Sequence, residues 1–159
     1  MKTMLKTAFM AVLLTVASAA VVAAPAADPL LGTWELNVSK STFNPGPAPK
    51  SDTRTYAATE QGTAMTWKNV GADGKEIVAK STFKVDGKDY PLTGFANFDT
   101  LSLKQVDDLT VHSTQKKNGK AVGATTRTIS KDGKVLTLKS KGTGAKGVAY
   151  DNVMVYDKK

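Results

Sequence analysis

Hydrophobic and polar residues alternate with a period of two along short stretches of this chain. The clearest case is residues 31–38, where Trp34, Leu36 and Val38 share one side of an extended chain and polar residues occupy the other. Such alternation is typical of a strand with one buried face. After the first 24 residues, no stretch sustains helical periodicity with a cap at each end. We therefore predict a nearly all-β protein.

Further strand-like runs follow the first one, and pairs such as Asp-Gly and Asn-Gly separate most of them. These pairs accept the positive φ angles of type I′ hairpin turns. Asp or Asn, then Gly, then Lys recurs at residues 73–75, 86–88, 118–120 and 132–134. The predicted strands after the first are 52–60, 63–70, 75–85, 99–106, 109–117, 120–130, 134–141 and 148–157.

Hairpins in series form an up-and-down meander, and short strands in an open sheet would leave exposed edges. Closing the sheet removes these edges. The predicted fold is therefore an all-β, single antiparallel up-and-down meander barrel of about 8–10 strands. Ser, Thr, Ala and Gly occupy many candidate inward positions. A barrel of this size is either filled by side chains or holds one small ligand.

Two segments interrupt the strand pattern. Residues 39–51 contain three prolines around Gly46, and proline cannot donate to a sheet ladder. We expect an ordered crossover or lid here, pinned by Phe43. Residues 88–98 form the second irregular segment.

The first residues have the pattern of a secretory signal peptide. Lys2 and Lys6 give a positive start, Ala8 to Val16 is uncharged, and small residues run from Ala17 to Ala27. We predict a signal peptide over 1–24, a barrel domain over 25–159, and a periplasmic or secreted protein; a retained anchor is the alternative. The chain has no cysteine, which excludes a lipoprotein and a disulfide scaffold.

The net charge is +8, and it falls to +6 when Lys2 and Lys6 are removed. The lysines are scattered and form no polybasic run. Such a surface either keeps the protein soluble or meets an anionic component of a cell envelope, rather than nucleic acid. We expect a monomer that is not an integral membrane protein.

The sequence argues against catalysis. His112 is the single histidine, and no serine lies in a nucleophile-elbow motif. Without cysteine, a structural zinc site is excluded, although one histidine suffices for haem ligation. Residues 142–147 match a dinucleotide fingerprint, but a strand rather than a helix follows. Glu35 and Glu60 have no spacing that indicates a glycosidase pair. We therefore expect no enzyme activity, no metal and no cofactor.

Gly32-Thr33-Trp34 resembles the first-strand motif of the lipocalin superfamily. The run from Trp34 to Ser51, with residues 86–91 and 151–153, is similar to secreted bacterial lipocalin-like, calycin-type domains. The resemblance implies that Gly32 and Trp34 form the base of the barrel, and that the protein transports or sequesters a small apolar molecule. Lipocalins stack an arginine from after the last strand on this tryptophan. Here the arginines are Arg54 and Arg127, so we expect a cation from another strand.

Two functional hypotheses follow. In the first, the barrel holds a small apolar or amphipathic ligand without covalent chemistry; in the second, a filled barrel docks through its basic surface on an anionic envelope component or a protein partner. The aromatic residues are either core and plugs or the lining of a pocket and its mouth. The candidate ligand-binding residues are Phe43, Tyr56, Trp67, Phe83, Tyr90, Phe95, Phe98, His112 and Arg127.

Overall fold

A computed structural model describes residues 28–144 and 146–159 of the chain. The predicted signal peptide and its cleavage site lie outside the described residues. Within the described ranges, no helix has the length and apolar character needed to cross a membrane.

The described chain forms ten strands and one short 3₁₀ helix, Val38–Lys40, which lies between the first two strands. The strands are β1 (Gly32–Leu36), β2 (Ser51–Thr59), β3 (Gly62–Val70), β4 (Glu76–Phe83), β5 (Asp86–Thr93), β6 (Thr100–Asp107), β7 (Thr110–Lys117), β8 (Lys120–Ile129), β9 (Val135–Thr143) and β10 (Ala149–Lys158).

Each strand pairs antiparallel with its neighbours in sequence, and β1 also pairs with β10, so the sheet closes into a barrel. Trp34 lies at the closure, opposite Arg54 of β2 and Lys158 of β10. The predicted all-β, antiparallel up-and-down meander barrel of about 8–10 strands is therefore confirmed. Closure leaves no strand of this sheet unpaired on either side.

One strand was missing from the prediction. Residues 86–93 form β5, whereas the sequence analysis assigned 88–98 to an irregular segment. Pro91 fits because β5 pairs with β4 through only two residues, Leu92 and Thr93, so the proline lies outside that ladder. The Ser81 hydroxyl also donates to the Pro91 carbonyl at 2.8 Å.

The first strand is shorter than predicted. It ends at Leu36, and Val38 is 43% exposed at the start of the 3₁₀ helix instead of joining the buried face. The cause is local, because the Asn37 side chain accepts a hydrogen bond from the Lys40 N–H and caps the helix. The chain then runs beside β10, where Thr42 and Val153 form a β-bridge.

The recurrent turns are built differently from the expected type I′ pairs. Only at 118–119 do both residues have positive φ, 51° for Asn118 and 75° for Gly119. At the three Asp-Gly-Lys turns, a carboxylate oxygen of Asp73, Asp86 or Asp132 accepts the N–H of the lysine two residues later. Three of the four recurrences are therefore Asx turns, which need positive φ only at the glycine.

Candidate functional site

A cavity of about 410 Å³ lies inside the barrel, and β2–β10 all contribute side chains to it. The volume falls within the usual range for small-molecule sites. Ser113, Thr125 and Ser140 point into this space, where larger side chains would fill it. The interior is therefore hollow. The sequence had left open whether side chains fill the barrel or leave space for a small ligand, and the cavity favours the second.

Seven of the nine candidate ligand-binding residues line this cavity. They come from distant parts of the chain, and the barrel brings them together. They are Phe43, Tyr56, Trp67, Phe83, Phe95, Phe98 and Arg127.

Tyr90 and His112 do not line the cavity. Tyr90 packs against the edge of the core, and its hydroxyl donates to Asp86 at 2.9 Å. His112 is exposed because its neighbour Val111 takes the inward position on β7. The His112 Nδ1 atom lies 2.9 Å from the Thr126 hydroxyl on the outer face. Neither residue is therefore placed to touch a molecule held inside the barrel.

An aromatic row borders one end of the cavity. The ring centroids of Trp67 and Phe95 are 4.8 Å apart, and those of Phe95 and Phe98 are 4.7 Å apart. Phe43 and prolines of the 39–51 segment line the same cavity. The 39–51 segment and the connection between β5 and β6, residues 94–99, thus supply apolar surface to the cavity, as expected for the border of a ligand site.

A buried ionic cluster lies on the wall formed by β2, β3 and β10. Asp52 Oδ2 accepts hydrogen bonds from Trp67 Nε1 at 2.7 Å and from Asn69 Nδ2 at 3.0 Å. Asp52 Oδ1 accepts one from the Tyr156 hydroxyl at 3.1 Å and lies 3.5 Å from Arg54 Nε. Arg54 Nε also donates to the Tyr156 oxygen at 3.0 Å. Both carboxylate oxygens are therefore occupied by protein donors.

Two members of this cluster, Tyr156 and Arg54, have shifted pKa values. Burial raises the pKa of Tyr156, so its hydroxyl keeps the proton that it donates to Asp52. Burial acts to lower the pKa of Arg54, but Tyr156 and Asp52 outweigh it and the net pKa is raised. The Arg54 guanidinium lies 4.6 Å from the Trp67 ring centroid, so the charge also meets an aromatic face.

Arg127 is the second cation of the cavity. Burial lowers its pKa, although an arginine remains protonated at neutral pH. It lies 5.9 Å from the Tyr56 ring centroid and also borders a smaller cavity of about 270 Å³, next to Asp28. The charged side chains of the larger cavity are Asp52, Arg54 and Arg127, which gives its lining a net charge of +1.

A neutral polar cluster lies on the wall formed by β7, β8 and β9. Gln115 is only 5% exposed, and its Nε2 donates to the hydroxyls of Ser113 at 3.1 Å and Thr125 at 3.0 Å. The Thr125 hydroxyl in turn donates to the Ser140 hydroxyl at 2.8 Å. Gln115 Oε1 is buried and has no hydrogen-bond partner among the described residues.

Gly32 and Trp34, the predicted base of the barrel, lie together. Trp34 is fully buried, and its Nε1 donates to the Leu30 carbonyl at 2.8 Å. Lys158 crosses this end, since its Nζ donates to the Pro29 carbonyl at 2.8 Å. Gly32 leaves room for the lysine stem, because a Cβ there would lie 3.2 Å from Lys158 Cε.

The expected source of the cation over Trp34 was wrong. Lys158 Nζ lies 5.0 Å from the Trp34 ring centroid, so the cation comes from the last strand and is a lysine. Arg54 instead stacks near Trp67 and Tyr156. A lysine ammonium can make the same cation–π contact as an arginine, although without its planar stacking.

Sequence reasoning missed most of the polar lining. One signal was present in β2. Asp52, Arg54 and Tyr56 are each two residues apart, so their side chains lie on the same face of the strand. Burial of the Tyr56 ring therefore predicts that Asp52 and Arg54 are buried as well. The alternation that buries Val111 likewise places Ser113 and Gln115 inside. The missed polar lining residues are Asp52, Arg54, Asn69, Asn97, Ser113, Gln115, Thr125, Ser140, Tyr150 and Asn152.

The chemistry that this arrangement offers is non-covalent binding by apolar contact, charge and hydrogen bonds. Within the described ranges, no three His, Cys, Asp or Glu side chains are grouped closely enough to hold a metal ion. On the outer surface, turn lysines such as Lys75 and Lys88 lie near the acids Asp73 and Asp86. Docking through the basic surface stays a prediction.

No protein-family model matches the chain, and no curated protein matches its sequence. Among solved structures, the chain is similar to the zebrafish ileal bile acid-binding protein, whose crystal structure contains cholic acid. The two share 17% sequence identity, the match covers 82% of this chain and 99% of that one, and the TM-score is 0.49. The fold assignment accordingly rests on the closed ten-strand topology itself.

Proposed function

We propose that this protein is a non-enzymatic binding protein that holds a small amphipathic molecule inside its barrel. The observation that carries the proposal is the cavity of about 410 Å³, enclosed by nine strands and lined by aromatic and aliphatic side chains around a few buried polar groups. Pockets with this composition are the usual sites of small-molecule binding. The secretory pattern of residues 1–24 supports a role in the periplasm or outside the cell.

The charge of the cavity favours a ligand with an acidic or hydrogen-bond-accepting group. Asp52 is fully engaged by protein donors and lies 3.5 Å from Arg54. Arg127 has no carboxylate within ion-pair distance among the described residues and borders the same cavity. A cation in a largely apolar site attracts an anion more strongly than it would in water. We therefore expect Arg127 to face the polar end of the ligand.

A fluorescence titration tests the proposal. The purified protein is titrated with 1-anilinonaphthalene-8-sulfonate, an anionic aromatic probe, and the bound probe is displaced with dodecanoate or dodecyltrimethylammonium. We expect saturable binding of one probe per chain, with dodecanoate displacing it at a lower concentration than the cationic amphiphile. Probe binding that does not saturate would contradict the proposal.

Two tryptophan variants of β6 separate cavity binding from surface binding. Leu103 lines the cavity and is buried, so Leu103→Trp fills the space and should weaken probe binding by at least about tenfold. Val106 on the same strand is 53% exposed, so Val106→Trp should leave the affinity unchanged. Equal affinities of the two variants would place the probe outside the barrel and refute the function.

A further inference from the structure

We infer that the β7–β9 wall of the cavity holds a second polar subsite, which accepts a hydroxyl or N–H group of the bound molecule through Gln115 Oε1. This inference rests on the proposed function and narrows its ligand to an amphipathic molecule that carries a hydrogen-bond donor away from its acidic end. The basis is that Gln115 lines the cavity and that its buried Oε1 has no hydrogen-bond partner among the described residues.

The Gln115 amide directs its Nε2 toward two hydroxyl oxygens of this wall. The Ser113 hydroxyl donates its proton to the Thr125 carbonyl, and the Thr125 hydroxyl donates its proton to Ser140. Both hydroxyl oxygens are thus left as acceptors, and the two N–H groups of Gln115 Nε2 fill them. Oε1 is therefore the atom that remains for a ligand.

Gly123 on β8 lies beside this acceptor. A Cβ at Gly123 would lie 3.0 Å from Gln115 Oε1 and 2.6 Å from the Tyr150 hydroxyl. A side chain at Gly123 would displace one of these groups, so the glycine allows Gln115 Oε1 and the Tyr150 hydroxyl to lie close to the same point of the wall. A ligand hydroxyl there could donate to Gln115 and accept from Tyr150, which uses both of its hydrogen-bonding capacities.

A purely structural role does not explain this arrangement. Packing would be served by an apolar residue of similar length, because a buried carbonyl without a partner is destabilising. The other buried polar cluster of this barrel has a protein donor for each oxygen of Asp52. An open acceptor in the wall of a binding cavity is the arrangement that recognition of a donor group requires.

The test compares matched ligand pairs that differ by one hydroxyl. Octanoate, decanoate and dodecanoate are each compared with the ω-hydroxy counterpart by isothermal titration calorimetry, because the chain length that reaches Gln115 is set by the cavity. The proteins are the wild type and the variants Gln115→Met, Tyr150→Phe and Thr114→Val. Met keeps the length of the side chain and removes the acceptor. Thr114 precedes Gln115 on β7 and does not line the cavity, and strand alternation places its side chain on the opposite face.

The measured quantity is the ratio of the dissociation constant of the hydroxy acid to that of the parent acid. At the chain length with the lowest ratio in the wild type, we expect this ratio to rise by about tenfold in Gln115→Met. The parent acid itself should bind within about threefold of the wild type, because the substitution conserves volume. Tyr150→Phe should raise the ratio in the same direction by a smaller factor, and Thr114→Val should not change it.

A ratio that is the same in wild type and Gln115→Met at every chain length overturns the inference and leaves the proposed function standing. Failure of the wild type to bind any of the six acids, or the anionic probe, refutes the proposed function and the inference with it. If Gln115→Met does not fold, as judged by circular dichroism, Tyr150→Phe decides, because it removes only a hydroxyl. An unchanged ratio in that variant would then overturn the subsite.

Discussion

The two polar clusters inside the barrel differ in how completely their hydrogen-bonding groups are used. Around Asp52, donors from Trp67, Asn69 and Tyr156 occupy both carboxylate oxygens, and Arg54 supplies the opposite charge. Around Gln115, both amide N–H groups are used, while the amide oxygen has no partner among the described residues. Both clusters are thus buried, but each oxygen of Asp52 accepts a hydrogen bond from the protein, whereas the Gln115 amide oxygen accepts none among the described residues.

This difference separates a structural role from a binding role. A fully satisfied buried network rigidifies the elements that it joins, and the Asp52 cluster joins β2, β3 and β10 beside the closure of the barrel. Buried polar groups without partners are rare in proteins, and each one needs an explanation. We therefore expect substitutions in the first cluster to change stability, and substitutions in the second to change binding.

The largest effect is expected for Asp52→Ala. The Asp52 and Arg54 side chains are only 2% and 12% exposed, so the variant leaves a buried cation without its counter-charge. Loss of one partner of a buried pair typically costs about 3–5 kcal/mol. Urea denaturation monitored by tryptophan fluorescence measures the free energy of unfolding.

The control for this variant is Asp151→Ala. Asp151 pairs with Lys141 at 2.9 Å, but the two side chains are 50% and 74% exposed. An exposed pair contributes about 0–1 kcal/mol, so this variant should stay close to the wild type. Similar losses for Asp52→Ala and Asp151→Ala would show that the buried cluster does not stabilise the barrel.

A comparison of Tyr156→Phe with Gln115→Met tests the difference between the two clusters, and we expect smaller changes in the free energy of unfolding than for Asp52→Ala. Tyr156→Phe removes a hydroxyl that donates to Asp52 and accepts from Arg54, and should lower the free energy of unfolding by about 2 kcal/mol. Gln115→Met also removes a buried polar group, but it relieves an unpartnered acceptor, so we expect a loss below about 1 kcal/mol. The same urea denaturation measures both. A larger loss for Gln115→Met than for Tyr156→Phe would reverse the assignment of roles.

Much of the fold could be predicted from local patterns. Alternation and turn residues locate nine strands, because both depend on residues close in sequence. Strand β5 was missed because Pro91 argues against a strand, and only the register shows that it lies outside the β4–β5 ladder. The lysine over Trp34 was missed because Trp34 and Lys158 meet only where β1 pairs with β10.

The site could be predicted only in part. The aromatic lining follows from composition and the barrel, and seven of the nine candidate ligand-binding residues face the cavity. Whether the interior is filled or hollow depends on the summed volumes of inward side chains, which periodicity does not give. The Asp52 and Gln115 clusters likewise depend on cross-strand register, since Asp52 and Tyr156 are 104 residues apart. A polar residue at an inward position is nevertheless a readable signal, as Gln115 illustrates.

The base of the barrel offers a test of a third contact, which is partly buried. Lys158→Met removes the ammonium that lies 5.0 Å from the Trp34 ring and donates to the Pro29 carbonyl, while it keeps an apolar side chain of similar length. We expect a loss of about 1 kcal/mol in urea denaturation. Lys158→Arg keeps the cation and should retain the stability of the wild type. Equal losses in both variants would attribute the effect to packing rather than charge.

The smallest effect is expected at the surface, where hydrogen bonds are also satisfied but water competes for them. A lysine backbone N–H lowers the pKa of Asp73 and of Asp86, and the Ser130 hydroxyl followed by the Lys134 N–H lowers that of Asp132. A lowered pKa in the folded state means that these carboxylates stabilise the fold above the unfolded value of about 3.9. This contribution is lost as the pH falls through the lower folded values.

The triple variant Asp73→Asn, Asp86→Asn and Asp132→Asn isolates that contribution. The asparagine oxygen can still accept the turn N–H, so the turns should remain, but it does not titrate. The urea midpoint of the triple variant should therefore fall less than that of the wild type between about pH 5 and about pH 2. The corresponding triple alanine variant loses the acceptor and should have a lower midpoint at both pH values. An equal acid-induced fall in the asparagine variant and the wild type would show that these turns do not contribute to acid sensitivity, and that the buried clusters and other acids account for it.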